Sequence, residues 1–501
     1  MRWQQTILTM AILGAALTAG AQDSMPVRLI REQTSPVVFL RDEVYASPAL
    51  KVYQRENTWS RLSASFRHSD QELYLQQEGS GRQTFNVHSE TYLKPGPKAT
   101  VWGQAYYSNE ELYKVKFNET ADYQLVYPYV MADSVGGDLK SETYAFAGGL
   151  AKAVGAYQLG FQAGFKGLQT YRDRDPRPEN ISSVISLGLS ASRKVTERYT
   201  LALDLSGLKY GQNNKLDFVS ELGYPLVYHE AGLGAYNEFL AGARTKASFQ
   251  GLGYGVALNF VPVQYKGWFA RAGYNHLNIG KRLTDIIDDI SVIHENTLNG
   301  AVGYMFDADR RHFIAELRAA TVKREGIEAR FINTGGANGV QKIAEDVRYV
   351  HDVATFRFRT VYGRSGGAID WFAGLEAGYE DNAQQYVMPN RELSYSQMLI
   401  GADITARKQL GGIMLSLNAK AQRQENLEST GRWNDVSPQR AIFTMLNSNF
   451  AYLTASGMNY GGGLRADFRL TGKVSCFISA DAAYHSGIER KDLRVTTAFQ
   501  F

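Results

Sequence analysis

Apart from its first residues, this chain has no run of about 18 apolar residues, which excludes a membrane-spanning helix. It carries one cysteine, Cys476, so no internal disulfide can staple it. A surplus of one charge is also missing. The 54 basic and 50 acidic residues are interspersed, for a formal net charge of +4, and nucleic acid is offered no basic face. Nor do the eight histidines (His68, His88, His229, His276, His294, His312, His351 and His485) form a dyad or a metal-ligand spacing. His485 and Ser486 are neighbours that point to opposite faces of a strand, so they cannot act as base and nucleophile together. The expectation is a protein that is not an enzyme and holds no cofactor.

What the chain does have is alternation. Between Tyr157 and Gln169 one face carries Tyr157, Leu159, Phe161, Ala163 and Phe165, the other Gln158, Gly160, Gln162, Gly164 and Lys166. The pattern recurs: Ile369, Trp371, Ala373, Leu375, Ala377 and Tyr379 oppose Asp370, Gly374, Glu376, Gly378 and Glu380. Tilted strands of roughly 9 to 11 residues suffice to cross hydrocarbon, and a barrel hides its apolar band by this alternation. A mean hydropathy of −0.30 therefore does not argue for a soluble body. The 30 tyrosines and 24 phenylalanines gather near expected strand ends, where aromatic rings suit the boundary between headgroups and hydrocarbon. Cys476 shares a face with Val474, Ile478 and Ala480 and reads as inert and lipid-facing.

Counting back from the C-terminus, short connections alternate with long ones. The short ones lie at 95–98, 154–156, 196–198, 262–266, 307–311, 364–367, 408–412 and 471–473, with the Gly, Pro, Asp and Lys of tight turns. Long ones lie near 68–81, 110–140, 170–180, 212–246, 280–290, 326–348, 382–393 and 427–455, with a shorter outward one at 487–489. The expected fold is all-β, a transmembrane antiparallel up-and-down barrel of about 18 strands over residues 59–501, with 16 as the alternative count. Residues 1–21 read as a signal peptide, with Arg2, an apolar stretch from Thr6 to Thr18, and Ala19-Gly20-Ala21 before Gln22. No cysteine follows that cleavage site to take a lipid. Residues 22–58, with Pro26, Pro36 and Pro48, form an expected N-terminal periplasmic or lumen-inserted segment, too short for the plug domain of an energy-coupled receptor.

Candidate function lies first on the inward face. Arg318, Arg357, Arg359, Asp370, Glu376, Asp403, Arg407, Arg465 and Asp467 are the candidate lumen or constriction residues, either an eyelet that selects solutes by charge or a mesh of cross-strand pairs that holds register. With the signs so balanced, the mesh is preferred. Second come Tyr127, Tyr129, Asp133 and Asp138, rings beside carboxylates that could stack on a sugar or hold a cation, or that latch the loop within the mouth. Third is the apolar loop holding Leu226, Val227, Tyr228, Leu233, Tyr236, Phe239 and Leu240, which must be covered somewhere: inside the lumen, the preferred reading, or by a partner. The stretch 283–292, with Asp285, Asp288 and Asp289 on its polar side, suggests a short helical turn.

The final residues L-R-V-T-T-A-F-Q-F resemble the C-terminal assembly signal of outer-membrane barrels, and Tyr45-Ala46-Ser47-Pro48-Ala49-Leu50 is similar to the N-terminal hatch of the long-chain fatty-acid channel family. The block from Tyr127-Pro128-Tyr129 through Asp133-Ser134 and Gly136-Gly137-Asp138 to Glu142-Thr143-Tyr144, with Arg174-Asp175-Pro176-Arg177-Pro178-Glu179-Asn180, resembles an uncharacterised family of porin-like Bacteroidota outer-membrane β-barrel proteins. That resemblance implies the outer membrane of a Gram-negative bacterium and a role beside nutrient or metal uptake. The expected function is a passive channel or accessory barrel. The alternative is a structural or docking barrel, closed by its own loops, that binds a surface lipoprotein or a TonB-dependent transporter.

Overall fold

Period-two alternation resolves into eighteen antiparallel strands closed on themselves. The computed structural model describes residues 25–501 except 97, 222, 224, 243, 285, 287, 288, 309, 334–339 and 473. The expected signal peptide lies outside the described residues, as do Asp285 and Asp288. The first six strands are β1 (Trp59–Asp70), β2 (Gly81–Gly96), β3 (Ala99–Val115), β4 (Gly137–Val154), β5 (Tyr157–Tyr171) and β6 (Arg177–Lys194). The next six are β7 (Tyr199–Asp217), β8 (Lys246–Pro262), β9 (Lys266–Leu283), β10 (Ser291–Ala308), β11 (Arg311–Asn333) and β12 (Val340–Arg364). The last six are β13 (Asp370–Tyr386), β14 (Arg391–Leu410), β15 (Ile413–Arg432), β16 (Gly457–Arg469), β17 (Ser475–His485) and β18 (Arg490–Gln500). Each pairs with its sequence neighbours, and β1 closes on β18 from Arg61 opposite Gln500 to Asp70 opposite Lys491. No open edge is left along the cylinder, as a sheet in hydrocarbon requires.

The outward series is apolar and uncovered. Phe161, Leu189 and Leu205 are direct cross-strand neighbours on β5, β6 and β7, with 47%, 56% and 52% of their surfaces exposed. A soluble sandwich would bury such a row against a second sheet; here its natural solvent is lipid. The 18-strand count agrees with the sequence reading. The largest boundary departures are in β11 and β12, expected to end at 325 and begin at 349. Register shifts at Gly326/Ile327 and Arg330/Phe331 break the period-two pattern there, and the ladder continues past them.

Candidate functional site

The lumen is filled from both ends. At the short-turn end, two helices, α1 (Met25–Gln33) and α2 (Pro36–Val44), a 3-10 turn (Pro48–Leu50) and a short helix, α3 (Lys51–Gln54), form a plug. Ser35 caps α2 in extended conformation with Pro36 in the first turn, where a missing N–H costs nothing. Val37, Leu40, Tyr45 and Leu50 project from this segment into one buried cluster with Ala202, Val261, Phe269, Met305 and Phe372 of the wall. Gly160 makes the closest approach possible, because a Cβ there would collide with Pro48 and Ala49.

Polar contacts orient the plug. Arg41 on α2 donates to Asp307 of β10 at 2.8 Å and to Glu32 of α1 at 3.3 Å, and lies 4.2 Å over the Tyr265 ring. Asp307 also holds His312 Nδ1, and His312 Nε2 is 2.7 Å from Ser365 Oγ. With the carboxylate shared between His312 and Arg41, this Ser–His–Asp chain ties the plug to the turn. Arg407 donates to Arg31 O of α1 and to Thr34 Oγ1 just beyond it, each at 2.7 Å, and pairs with Asp370 at 3.5 Å. Tyr45 donates to Pro262 O, Ser47 to Asp204, and Ala49 N to Ser190 Oγ at 2.6 Å.

At the long-loop end a lid is built from three connections. The loop after β3 contains a short helix, α4 (Tyr123–Val126), and the strand Met131–Ala132; the loop after β7 supplies Tyr228–Gly232 and Ala235–Tyr236. These strands make a small sheet with Tyr228–Gly232 in the middle. Helix α5 (Ala441–Leu453), after β15, packs Ile442, Met445 and Leu446 into the same cluster as Val130, Tyr228, Leu233 and Tyr349. The apolar loop thus lies inside the mouth, with Leu226 and Phe239 left at its exposed side.

The sequence-singled residues separate by role. Arg359 lies 4.0 Å from Asp403, Glu376 3.5 Å from Lys420, and Arg465 2.6 Å from Asp467. Asp370 and Arg407, cross-strand partners, grip the plug. Arg318 pairs with Glu316 at 2.8 Å and with Glu43 of α2. Arg357 lines a cavity beside it. The loop carboxylates do not converge. Asp133 accepts from Val135 N at 2.6 Å and Gly136 N at 2.9 Å, while Asp138 accepts from Lys114 N at 2.9 Å, so each shapes a turn. The Tyr127 hydroxyl accepts from Leu233 N at 3.2 Å, Tyr129 is buried, and Tyr228 and Tyr236 pack with ring centroids 5.1 Å apart. Arg440 donates to the Tyr236 hydroxyl at 2.9 Å. In the stretch 283–292, Leu283 ends β9, Ser291 opens β10, and Ile286 and Ile290 turn inward into a small apolar cluster.

Several buried polar groups of the lid escaped the sequence reading. Glu119 and Arg172 form an enclosed ion pair, and Lys281 donates to Val130 O at 3.0 Å. Burial drives the Glu119 carboxyl well above its ordinary range despite Arg172. Burial likewise pushes Glu230 up to about 7, against the Gly234 N–H, Lys281 and Arg391, which favour its charge. His229 is held well below its ordinary value by burial and by the neighbouring Lys281. The one available signal was Lys281 itself, a charge at the inward position between Ile279 and Leu283. Among the described residues no group of three or more His, Cys, Asp or Glu could hold a metal ion.

Among solved structures the chain is similar to the siderophore receptor PirA from Acinetobacter baumannii, with 9% identity over 89% of this chain and 81% of that one, TM-score 0.43. It is similar to the copper transporter OprC (10% identity, 89% and 81%, TM-score 0.40) and to the ferric-catecholate import receptor Fiu from E. coli K12 (8% identity, 89% and 82%, TM-score 0.40). Similarity this low speaks neither to ligand nor to mechanism. No curated protein matches the sequence. Residues 48–501, the whole barrel with the last part of the plug, match the model of a family described as a family of unknown function (DUF6850), and the chain belongs to that family.

Proposed function

We propose that this protein sits in the outer membrane of a Gram-negative bacterium as a normally closed, gated conduit of a nutrient or metal uptake system. The observation that carries this reading is the plug. A segment meant only to fill space would need apolar contacts alone, whereas this one is held by exchangeable polar latches, Arg41 to Asp307 and Arg31 to Asp370 and Arg407, with a cavity of about 530 Å³ left above it. A permanently open porin is disfavoured by the same contacts. Planar-bilayer recording tests the proposal: full-length protein should show no steady conductance, and the double variant Arg41→Ala/Arg407→Ala should show frequent openings. Steady current through the unaltered protein, or a double variant as silent as the parent, would defeat it.

A second reading, a docking barrel bound to a surface lipoprotein or a TonB-dependent transporter, is favoured by the exposed Leu226 and Phe239 on the lid. Site-directed photo-crosslinking from position 226 in intact membranes should then trap one stoichiometric neighbour, and none if the reading is wrong.

A further inference from the structure

Three adjoining cavities of about 460, 480 and 530 Å³ surround Ala46 at the top of the plug. The largest lies between α2 and the wall formed by β8 to β12, and its size suits a small solute. Along that wall one register row runs Arg271, Ala301, Arg318, Arg357 over four consecutive strands. All four residues line the cavity, and their sequence neighbours Leu317, Phe356 and Phe358 face outward.

The next inward row toward the short-turn end runs Gly303, Glu316, Arg359, Glu376. Its charges alternate in sign, as a register-holding mesh should. The arginine row does not follow this rule. Arg318 stands directly opposite Arg357, a like-charge pairing that destabilises a sheet unless something neutralises it. Glu316 and Glu43 neutralise Arg318, but Arg271 and Arg357 have no ion pair or hydrogen bond among the described residues. Of the carboxylates nearby, Asp204, whose charge reaches Arg271, is hydrogen-bonded by Ser47 and Asn259, and Glu376 and Glu380, which flank Gly378 opposite Arg357, are engaged by Lys420 and Tyr395. Two exposed guanidinium groups thus face an open aqueous space inside the barrel, with a third held partly by a plug residue. The Arg318–Glu43 contact is itself wet, with side chains 43% and 55% exposed, so it exchanges readily for a better anion.

We propose that the row Arg271–Arg318–Arg357 binds a small solute carrying two or more carboxylate or phosphate groups, and that this anion competes with Glu43 for Arg318 and so loosens the plug. Guanidinium forks match both oxyanions, and strand spacing spreads the three along roughly 14 Å, enough for a solute with separated charges. The binding site stands on the row itself; its coupling to the plug rests on the gated-conduit reading.

Calorimetric titration of the full-length protein in detergent at low ionic strength, with citrate and separately with pyrophosphate, tests both parts. At least one probe should bind saturably, and the two probes separate a carboxylate from a phosphate preference. Arg271→Gln/Arg357→Gln should weaken binding by at least about tenfold. Glu43→Gln, which touches no barrel contact other than Arg318, should tighten it roughly three- to tenfold by removing the resident competitor. Absence of binding to both the parent and Glu43→Gln, or undiminished binding by the arginine variant, overturns the site. An unchanged affinity in Glu43→Gln overturns the competition. Failure of the gating reading appears in conductance instead and leaves these titrations interpretable.

Discussion

Arg172 donates one nitrogen to both carboxylate oxygens of Glu119, at 2.9 and 3.0 Å, with only 3% and 0% of the two side chains exposed. Two charges so enclosed are tolerable only together, since either one alone would be buried without its counter-charge. The backbone carbonyl of Glu119 also accepts from Asn180 and Asn214, so this pair anchors the loop after β3 to the walls of β6 and β7. Arg172→Ala should therefore destabilise the closed lid by about 3 to 5 kcal/mol, and the joint replacement Glu119→Leu/Arg172→Met by much less. Limited proteolysis of the loop at 116–136 reads this out. Equal protection in Arg172→Ala and the parent would show that the pair does not hold the lid.

Adjacent residues of the lid give opposite pH responses. Glu230, held up to about 7 in the folded lid against an ordinary 4.5, binds its proton more tightly folded than unfolded, so its contribution to stability falls as pH rises from 4.5 to 7. His229 is kept neutral well below its ordinary 6.5, so stability is lost as pH drops below 6.5. The two slopes oppose each other between 4.5 and 6.5, and the parent lid should respond little there. His229→Gln should unmask the carboxyl: its lid should gain on the order of 3 kcal/mol as pH falls from 7 to 4.5. Glu230→Gln should instead weaken below pH 6.5. A 19F resonance from fluorotryptophan at the buried Trp433 reports lid populations, and identical pH profiles for all three proteins would refute this assignment.

The lipid-facing series is tested at Leu205. Leu205→Arg should cost about 2 to 4 kcal/mol of folding stability in bilayers, against no more than about 1 kcal/mol for Ser206→Arg on the lumen face. Reversible unfolding in vesicles measures both. Equal costs would mean that Leu205 does not meet hydrocarbon.

The barrel was legible because lipid on one side and a polar interior on the other impose an alternation that local sequence displays. Strand number and turn positions followed from it directly. Where the ladder bulges, as at Gly326, the period slips and the reading stopped short. The lid was less legible. Val227, Tyr228 and Leu233 announce that they must be covered, but not that Met131 and Ala132 will pair with His229 and Tyr228, because that contact joins loops about a hundred residues apart. The charged inward residues were visible as a set. Their division into mesh, plug latch and like-charged arginine row depends on which residues fall opposite one another, and composition carries no register.

Only Arg55, Glu56, Asn57 and Thr58 separate the end of α3 from the first residue of β1. Four residues fully extended reach roughly 13 Å. If the proposed conduit opens by displacing the plug, a cork on so brief a leash stays within a strand's length of the seam where β1 meets β18. Resealing would then be an intramolecular event at high local concentration, needing no second protein to bring the stopper back.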